Sequence, residues 1–134
     1  MKYFPAILLL LFLATCSSPQ KILMRTWKID NVDFFDTLNT LSQQQKMMAT
    51  QELTKNLHFT FLPDSMYQVT SKNEVINGKW WMSADKKTIF TSTKQGDAQS
   101  KVIELKKKKF KFESAGEMNQ TFRFYCTPAP TTKK

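Results

Sequence analysis

The sequence contains one histidine and two cysteines in 134 residues, too few for the common catalytic and metal-binding arrangements. A zinc site needs three or four ligands from cysteine, histidine and carboxylate side chains, and the only soft candidates are His58 and Cys126. A serine or cysteine triad needs the histidine beside its nucleophile, but these two residues fall on different predicted strands. We therefore predict no catalytic residues, no metal site, no cofactor and no enzyme activity.

The sequence also lacks an apolar run long enough to span a bilayer. The run at residues 7–13 is far shorter than the roughly 20 residues of a transmembrane helix and follows the positive charge of Lys2, which is typical of an export signal. It ends in Leu13-Ala14-Thr15-Cys16, which resembles the lipobox of bacterial lipoproteins. The resemblance implies that residues 1–15 are a signal peptide and that Cys16 carries diacylglyceryl and acyl chains such as palmitate.

Negative charge is scarce as well, with 11 acidic residues against 20 Lys and Arg and a net charge of +9. A basic exported protein is expected to meet anionic lipid headgroups or cell-wall polymers, and nucleic acid is not expected outside the cytoplasm. Ser17 stands where some inner-membrane lipoproteins have Asp. The resemblance thus implies anchoring in the outer membrane of the cell envelope, facing the periplasm, with residues 16–22 as a lipidated tether.

Alternating apolar residues predict strands from the start of the folded domain. Trp27 and Ile29 share one face of the first strand, and Val32 and Phe34 continue it in shifted phase, which predicts a β-bulge near Asn31.

The period becomes helical over residues 37–56, with Asp36 as a candidate N-cap. The apolar stripe of this helix is weak, which suits a helix packed on an outer wall or, alternatively, a lid over an open end.

Seven further strands follow, joined mostly by short turns such as the one predicted over residues 94–99. Short links make sequential strands antiparallel neighbours, and eight strands can close into an up-and-down barrel with no free edge. The sequence therefore predicts an all-β barrel domain over residues 23–126, with the helix inserted between strands 1 and 2. Residues 127–134 are predicted to be a disordered tail.

Several spaced motifs resemble the short lipocalin-like domain of bacterial lipoproteins. They are Leu23-x-Arg25-x-Trp27, Phe61-x-x-Asp64-Ser65-x-Tyr67, Gly78-x-Trp80, Ile103-x-Leu105 and Phe110-x-Phe112. The family has Gly where this chain has Arg25, and a turn Gly where it has Ser65. The resemblance implies an eight-stranded calyx whose first Trp plugs the closed end.

Aromatic residues recur at alternate positions on neighbouring strands, so most of them should face one interior. They are Phe59, Phe61, Trp80, Phe90, Phe110, Phe112, Phe122 and Phe124. An eight-stranded barrel is wide enough either to be filled by such rings or to hold one small ligand. For the second case the candidate ligand-binding residues are Phe61, Tyr67, Trp80 and Phe112, whereas Trp81 should face outward beside Lys79.

The densest charge cluster is Lys106, Lys107, Lys108 and Lys109. It is either a solvated hairpin that discourages aggregation or a basic tip that contacts anionic headgroups, and together with Lys79 and Trp81 it is a candidate membrane or partner contact. The predicted function is non-catalytic binding of a small apolar or amphipathic molecule by an anchored lipoprotein. The alternative is a protein-binding module, such as an inhibitor or accessory subunit of the cell envelope.

Overall fold

The computed structural model describes residues 18–36, 41–115 and 120–130. The elements are α1 (Pro19–Leu23), β1 (Thr26–Asp36), α2 (Gln43–Asn56), β2 (His58–Phe61), β3 (Met66–Thr70), β4 (Val75–Met82), β5 (Thr88–Thr93), β6 (Gly96–Lys106), β7 (Lys109–Ala115) and β8 (Gln120–Pro128). The predicted signal peptide and Cys16 lie outside the described residues. No helix in the described part of the chain has the length and apolar character to cross a membrane.

The eight strands form a closed antiparallel barrel. Each strand pairs with the next in sequence, and β8 returns to pair with β1. The turns are short, as at Lys94–Gln95 and Lys107–Lys108, because each hairpin brings consecutive strands side by side. The predicted up-and-down barrel is confirmed, as is the helix between the first two strands, and the architecture is consistent with a lipocalin-like fold.

The predicted bulge in β1 is also confirmed. Ile29 pairs with Cys126 and Asn31 with Tyr125, so Asp30 is an extra residue on β1. The extra residue shifts the alternation by one position. As a result Trp27, Ile29 and Val32 all face the interior and are buried.

The up-and-down order divides the barrel into two ends. We call the end with α1 and the turns after β2, β4 and β6 the closed end, and the end with α2 and the turns after β3, β5 and β7 the open end. At the closed end, Trp27 is fully buried, its ring lies 5.3 Å from that of Phe110, and its indole Nε1 donates to the Leu23 carbonyl at 3.0 Å. Trp27 thus plugs this end, as the resemblance implied.

The helix begins later than predicted, and Asp36 does not cap it. Asp36 still belongs to β1, while Ser42 is the N-cap of α2. The Ser42 hydroxyl accepts the Gln45 amide at 3.1 Å and the Gln45 side chain accepts the Ser42 amide at 2.8 Å. This reciprocal pair satisfies two amides at the helix start.

The helix α2 lies beside the part of β1 that β2 does not reach. β2 pairs with only three residues of β1, Thr26 to Lys28, and α2 contacts β1. No residue of α2 is buried, but Leu53 packs against the core. The helix therefore covers a gap in the wall, which agrees with the predicted outer-wall packing rather than a lid.

The last strand is longer than predicted. Thr127 and Pro128 pair with Lys28 and Trp27, and the Ala129 amide donates to the Thr26 carbonyl at 2.9 Å. The predicted tail therefore starts too early, because these backbone groups complete the closure of the barrel. Residues 131–134 lie outside the described part.

Candidate functional site

The barrel encloses a cavity of about 230 Å³. Seven apolar residues line it: Phe59, Phe61, Ile89, Ala98, Phe110, Phe112 and Phe124. Four hydroxyl-bearing residues complete the lining: Tyr67, Thr91, Ser100 and Ser114. None of these eleven residues carries a charged side chain, so the site is an apolar chamber with a few neutral hydrogen-bonding groups.

The cavity exists because large and small residues face each other across the barrel. On β7 and β8 the aromatic rings stack in a ladder, with Phe112 at 4.8 Å from Phe110 and 4.9 Å from Phe124. On β5 and β6 the inward positions hold Thr91, Ala98 and Ser100, which are too short to reach that ladder. The sequence left open whether the interior is filled or hollow. Because of this asymmetry, it is hollow on the side of β5 and β6.

The chamber has a floor and a mouth. Its floor is formed by Phe61, Ile89 and Phe110, all buried towards the closed end. Ala98 also faces the chamber, yet it is exposed to solvent. The cavity is therefore reached from the open end.

The polar groups of the interior are neutral at physiological pH. Burial, and secondarily the electrostatic effect of nearby Cys126, raises the pKa of Tyr67 above its ordinary value. Its side chain is only 7% exposed and lines the chamber. Burial, with a smaller contribution from the Asp30 carboxylate, raises the pKa of the Cys126 thiol to about 12. The thiol is thus a small apolar side chain, and the neutral Tyr67 hydroxyl can donate a hydrogen bond to a ligand in the cavity.

Three of the four predicted ligand-binding residues line the chamber together. They are Phe61, Tyr67 and Phe112. Trp80 is buried as the alternation predicted, but it does not line the cavity. Its indole Nε1 donates to the Leu62 carbonyl at 2.9 Å and its ring lies edge-on to Phe61 at 5.4 Å. Trp80 therefore supports a lining residue from behind.

The small residues of the site were not predicted from the sequence. Ala98 belongs to β6, which begins at Gly96, whereas residues 94–99 were predicted to be a turn. The alternation of Ala98, Ser100 and Val102 with polar neighbours is the signal that marks them as inward-facing.

The predicted membrane or partner contacts lie on the outside, but apart from one another. Trp81 is 48% exposed and stacks on Phe90 at 5.6 Å. Phe90 therefore faces outward, although it was grouped with the aromatic residues predicted to face the interior. Lys79 is exposed on the same strand. The turn that holds Lys106, Lys107, Lys108 and Lys109 joins β6 to β7, away from β4. These residues therefore form two separate surfaces.

The only histidine and the free cysteine are not brought together. His58 pairs with Lys28 and alternates with the inward Phe59, so it lies on the outer face of β2, while Cys126 is buried inside. Within residues 18–36, 41–115 and 120–130, no group of three His, Cys, Asp or Glu side chains is placed to hold a metal ion.

Comparisons with protein-family models, with curated proteins and with solved structures gave no match for this chain. The class defined by the fold and the site is a closed eight-stranded barrel with an interior cavity, which is compatible with a ligand-binding calyx. Lipidation at Cys16 stays a prediction from the motif at residues 13–16.

Proposed function

We propose that this protein binds one small, uncharged, largely apolar molecule inside its barrel, as a lipoprotein anchored through Cys16 in the bacterial cell envelope. The observation that carries the proposal is the cavity of about 230 Å³, lined by aromatic rings and hydroxyl groups and open at one end. Binding without catalysis is the role that suits it, since the chamber presents a neutral, hydrogen-bonding lining and no paired acid and base.

The volume of the cavity selects a compact ligand. Ligand pockets commonly measure about 300–1,000 Å³, and this chamber lies just below that range. A ligand that fits can bury most of its surface against Phe59, Phe112 and Phe124. Such burial offsets the loss of translational and rotational freedom on association.

The lining also selects for a neutral molecule. A buried carboxylate needs a cationic partner or several hydrogen bonds, and the eleven lining residues include no cation. A carbonyl or hydroxyl oxygen can instead accept a hydrogen bond from Tyr67 or from the hydroxyls of Thr91, Ser100 and Ser114. Among amphipathic molecules, uncharged ones are therefore favoured over ionised fatty acids.

A matched pair of fluorescent probes tests whether the chamber binds an apolar molecule and whether that molecule must be neutral. Phenylnaphthylamine is neutral, and anilinonaphthalene sulfonate has the same rings with an added anionic group. We expect saturable fluorescence enhancement with the neutral probe and binding at least about tenfold weaker with the sulfonate, because the charge has no partner in the chamber. Equal affinities for the two probes would contradict the proposed ligand class.

A blocking variant locates the bound probe. Ala98→Phe places a ring at the mouth of the chamber and should abolish saturable binding, whereas Gln99→Phe adds the same ring to the outer face of β6 and should not. If the neutral probe binds both variants alike, it does not bind in the chamber. If no neutral apolar probe binds the unaltered protein, the protein-binding alternative takes precedence, and its contacts should be sought at Trp81 and Lys79.

The anchor is tested separately. The motif Leu13-Ala14-Thr15-Cys16 supports the proposal that the protein is acylated and held at the outer membrane, facing the periplasm. The intact mass of the membrane-bound protein should then show acyl chains, and Cys16→Ala should move the protein to the soluble fraction. An unmodified mass would show that the anchor assignment is wrong.

A further inference from the structure

The closed end of the barrel concentrates positive charge. The described residues at this end include eight cationic side chains: Lys21, Arg25, Lys86, Lys87, Lys106, Lys107, Lys108 and Lys109. They include three carboxylates: Asp64, Asp85 and Glu104. The excess charge is greatest at the turn after β6, where four consecutive lysines are exposed.

Two of the three carboxylates are already occupied. Asp85 accepts the Ser83 hydroxyl at 2.6 Å and the Lys87 amide at 3.0 Å within its own turn, and these bonds lower its pKa. Glu104 pairs with Lys109 at 3.7 Å. In the described part of the chain, Lys106, Lys107 and Lys108 have no carboxylate within ion-pair distance, so their charges are available to an external anion.

The hairpin turn with Lys106 to Lys109, called the lysine turn below, is fixed to the closed end of the barrel. Arg25 Nη1 donates to the Lys107 carbonyl at 2.7 Å, and the guanidinium lies 5.5 Å from the centre of the Trp27 ring. Arg25 is the residue that stands in place of the glycine of the resembling family. It therefore holds the lysine turn against the same segment that enters the barrel from the N-terminus.

The open end has no comparable excess in its described turns. The turn after β3 holds Lys72 and Glu74, and the turn after β5 holds Lys94 close to Asp97. Each cation there has an acidic neighbour in sequence. Positive charge is thus distributed unevenly along the barrel axis, and not only in excess overall.

We propose that the closed end docks on the anionic headgroups of the membrane that holds the protein, so that the mouth of the cavity faces away from the bilayer. The orientation rests on the proposed anchor at Cys16. Ser18, where the described chain begins, is two residues beyond Cys16 in sequence and leads into α1 at the closed end. Two residues span at most about 7 Å, within the Debye length of about 8 Å at physiological salt.

The lysine turn should contribute a measurable share of this docking. A lysine near an anionic bilayer strengthens binding by about fivefold, so the three unpaired lysines together correspond to about a hundredfold. Because the interaction is with headgroups across water, it should weaken as salt is added.

Two variants of equal net charge test the proposal. One carries Lys106→Gln, Lys107→Gln and Lys108→Gln at the closed end, and the other carries Lys55→Gln, Lys72→Gln and Lys94→Gln at the open end. Both are made in the chain from residue 16 onward with Cys16→Ser, so that neither the apolar run at residues 7–13 nor acylation masks the contribution of the side chains. Co-sedimentation is measured with phosphatidylglycerol-rich vesicles and with pure phosphatidylcholine vesicles.

We expect the closed-end variant to lose about a hundredfold in binding to the anionic vesicles, and the open-end variant to lose severalfold at most. Equal losses would show that net charge, and not one end of the barrel, determines binding. The proposal is overturned if neither variant loses binding, or if the protein with unaltered lysines binds both vesicle types equally. An acidic protein surface would then be the expected partner of the lysine turn.

The outcome can be separated from the proposed function. The docking assay contains no probe for the cavity and does not require acylation. Binding of the neutral probe should be unchanged in both triple variants, because Lys106 to Lys108 and the open-end lysines do not line the cavity. If the unaltered protein does not dock but binds the probe, only the proposed orientation is wrong. If it docks but does not bind the probe, only the proposed ligand-binding function is wrong.

Discussion

The two ends of the barrel are packed in opposite ways. At the closed end, Leu23, Trp27 and Phe110 are at most 1% exposed. At the open end, Phe34 and Phe122 form an edge-to-face pair at 5.3 Å but remain only half-buried. The tightest packing thus lies at the closed end, and the chamber widens from its floor at Phe61, Ile89 and Phe110 towards the open end.

The same strands produce both arrangements. β7 carries Phe110 near the closed end and Ser114 near the open end, and β6 carries Leu105 and Ala98 in the same order. On these two strands the size of the inward residues therefore falls towards the open end. A gradient of this kind leaves space without requiring a wider barrel.

The largest expected effect is at the closed end. Trp27→Ala removes a fully buried ring and the hydrogen bond to Leu23, and should lower the free energy of unfolding by about 3–5 kcal/mol. Phe122→Ala should cost no more than about half of that, because its ring is already partly in water. Urea unfolding of the two variants measures the difference, and equal losses would show that stability is spread evenly along the barrel.

A smaller effect is expected where two backbones approach closely. A Cβ at Gly78 would clash with the Ser92 carbonyl oxygen and lie 2.7 Å from Thr93 Cγ2, so Gly78→Ala must separate β4 from β5 and should cost about 1–3 kcal/mol.

Gly96 provides the matched control. A Cβ there meets no atom within 4 Å, but the φ of +133° is strained for alanine, so Gly96→Ala should cost about 1 kcal/mol. Chemical unfolding measures both variants. A greater loss at Gly96 would indicate that backbone strain outweighs the contact between β4 and β5.

The periodic features of the fold were predictable from the sequence. Alternation with period two distinguishes the buried Trp80 from the exposed Trp81, and a shift in its phase locates the bulge at Asp30. Both depend only on residues close in sequence. Local pattern is sufficient for them because neighbouring side chains on a strand must face opposite sides.

The cavity was not predictable, because it depends on residues that meet across the barrel. Gly96-Asp97 looks like a turn, yet the turn is confined to Lys94–Gln95, and the strand that follows carries Ala98. Whether a ring on β7 reaches β6 is decided by the diameter of the barrel and by the side chain opposite. Similarly, Asp36 and Ser42 are both good caps, and only the length of β1 distinguishes them.

A pH effect is expected from the buried thiol beneath the chamber. The pKa of Cys126 is about 12 in the fold and 9.0 ordinarily. Above pH 9 the unfolded chain loses this proton while the folded chain keeps it, so stability should fall by about 1.4 kcal/mol per pH unit and be unaffected below that pH.

Between pH 9 and pH 10, the slope should be removed by Cys126→Ala but not by Tyr67→Phe, since the ordinary pKa of Tyr67 is 10.0 and its raised value adds the same trend only at higher pH. Urea unfolding at several pH values gives the slopes. The same slope in Cys126→Ala as in the unaltered protein would contradict the assignment.

The smallest effect on global stability is expected at α2, at the open end of the barrel. Ser42→Ala removes the reciprocal cap and should weaken the helix by about 1 kcal/mol. Because no residue of α2 is buried, the helix can open without the barrel, so amide exchange within it should accelerate about fivefold while the urea midpoint stays constant. Thr54→Ala, which leaves the cap intact and removes a hydrogen bond to the Gln51 carbonyl of the same helix, should not accelerate exchange, because alanine favours the helix more than threonine does. A fall in global stability equal to the loss of helix protection would instead show that α2 unfolds together with the barrel, and that the open end is as cooperative as the closed end.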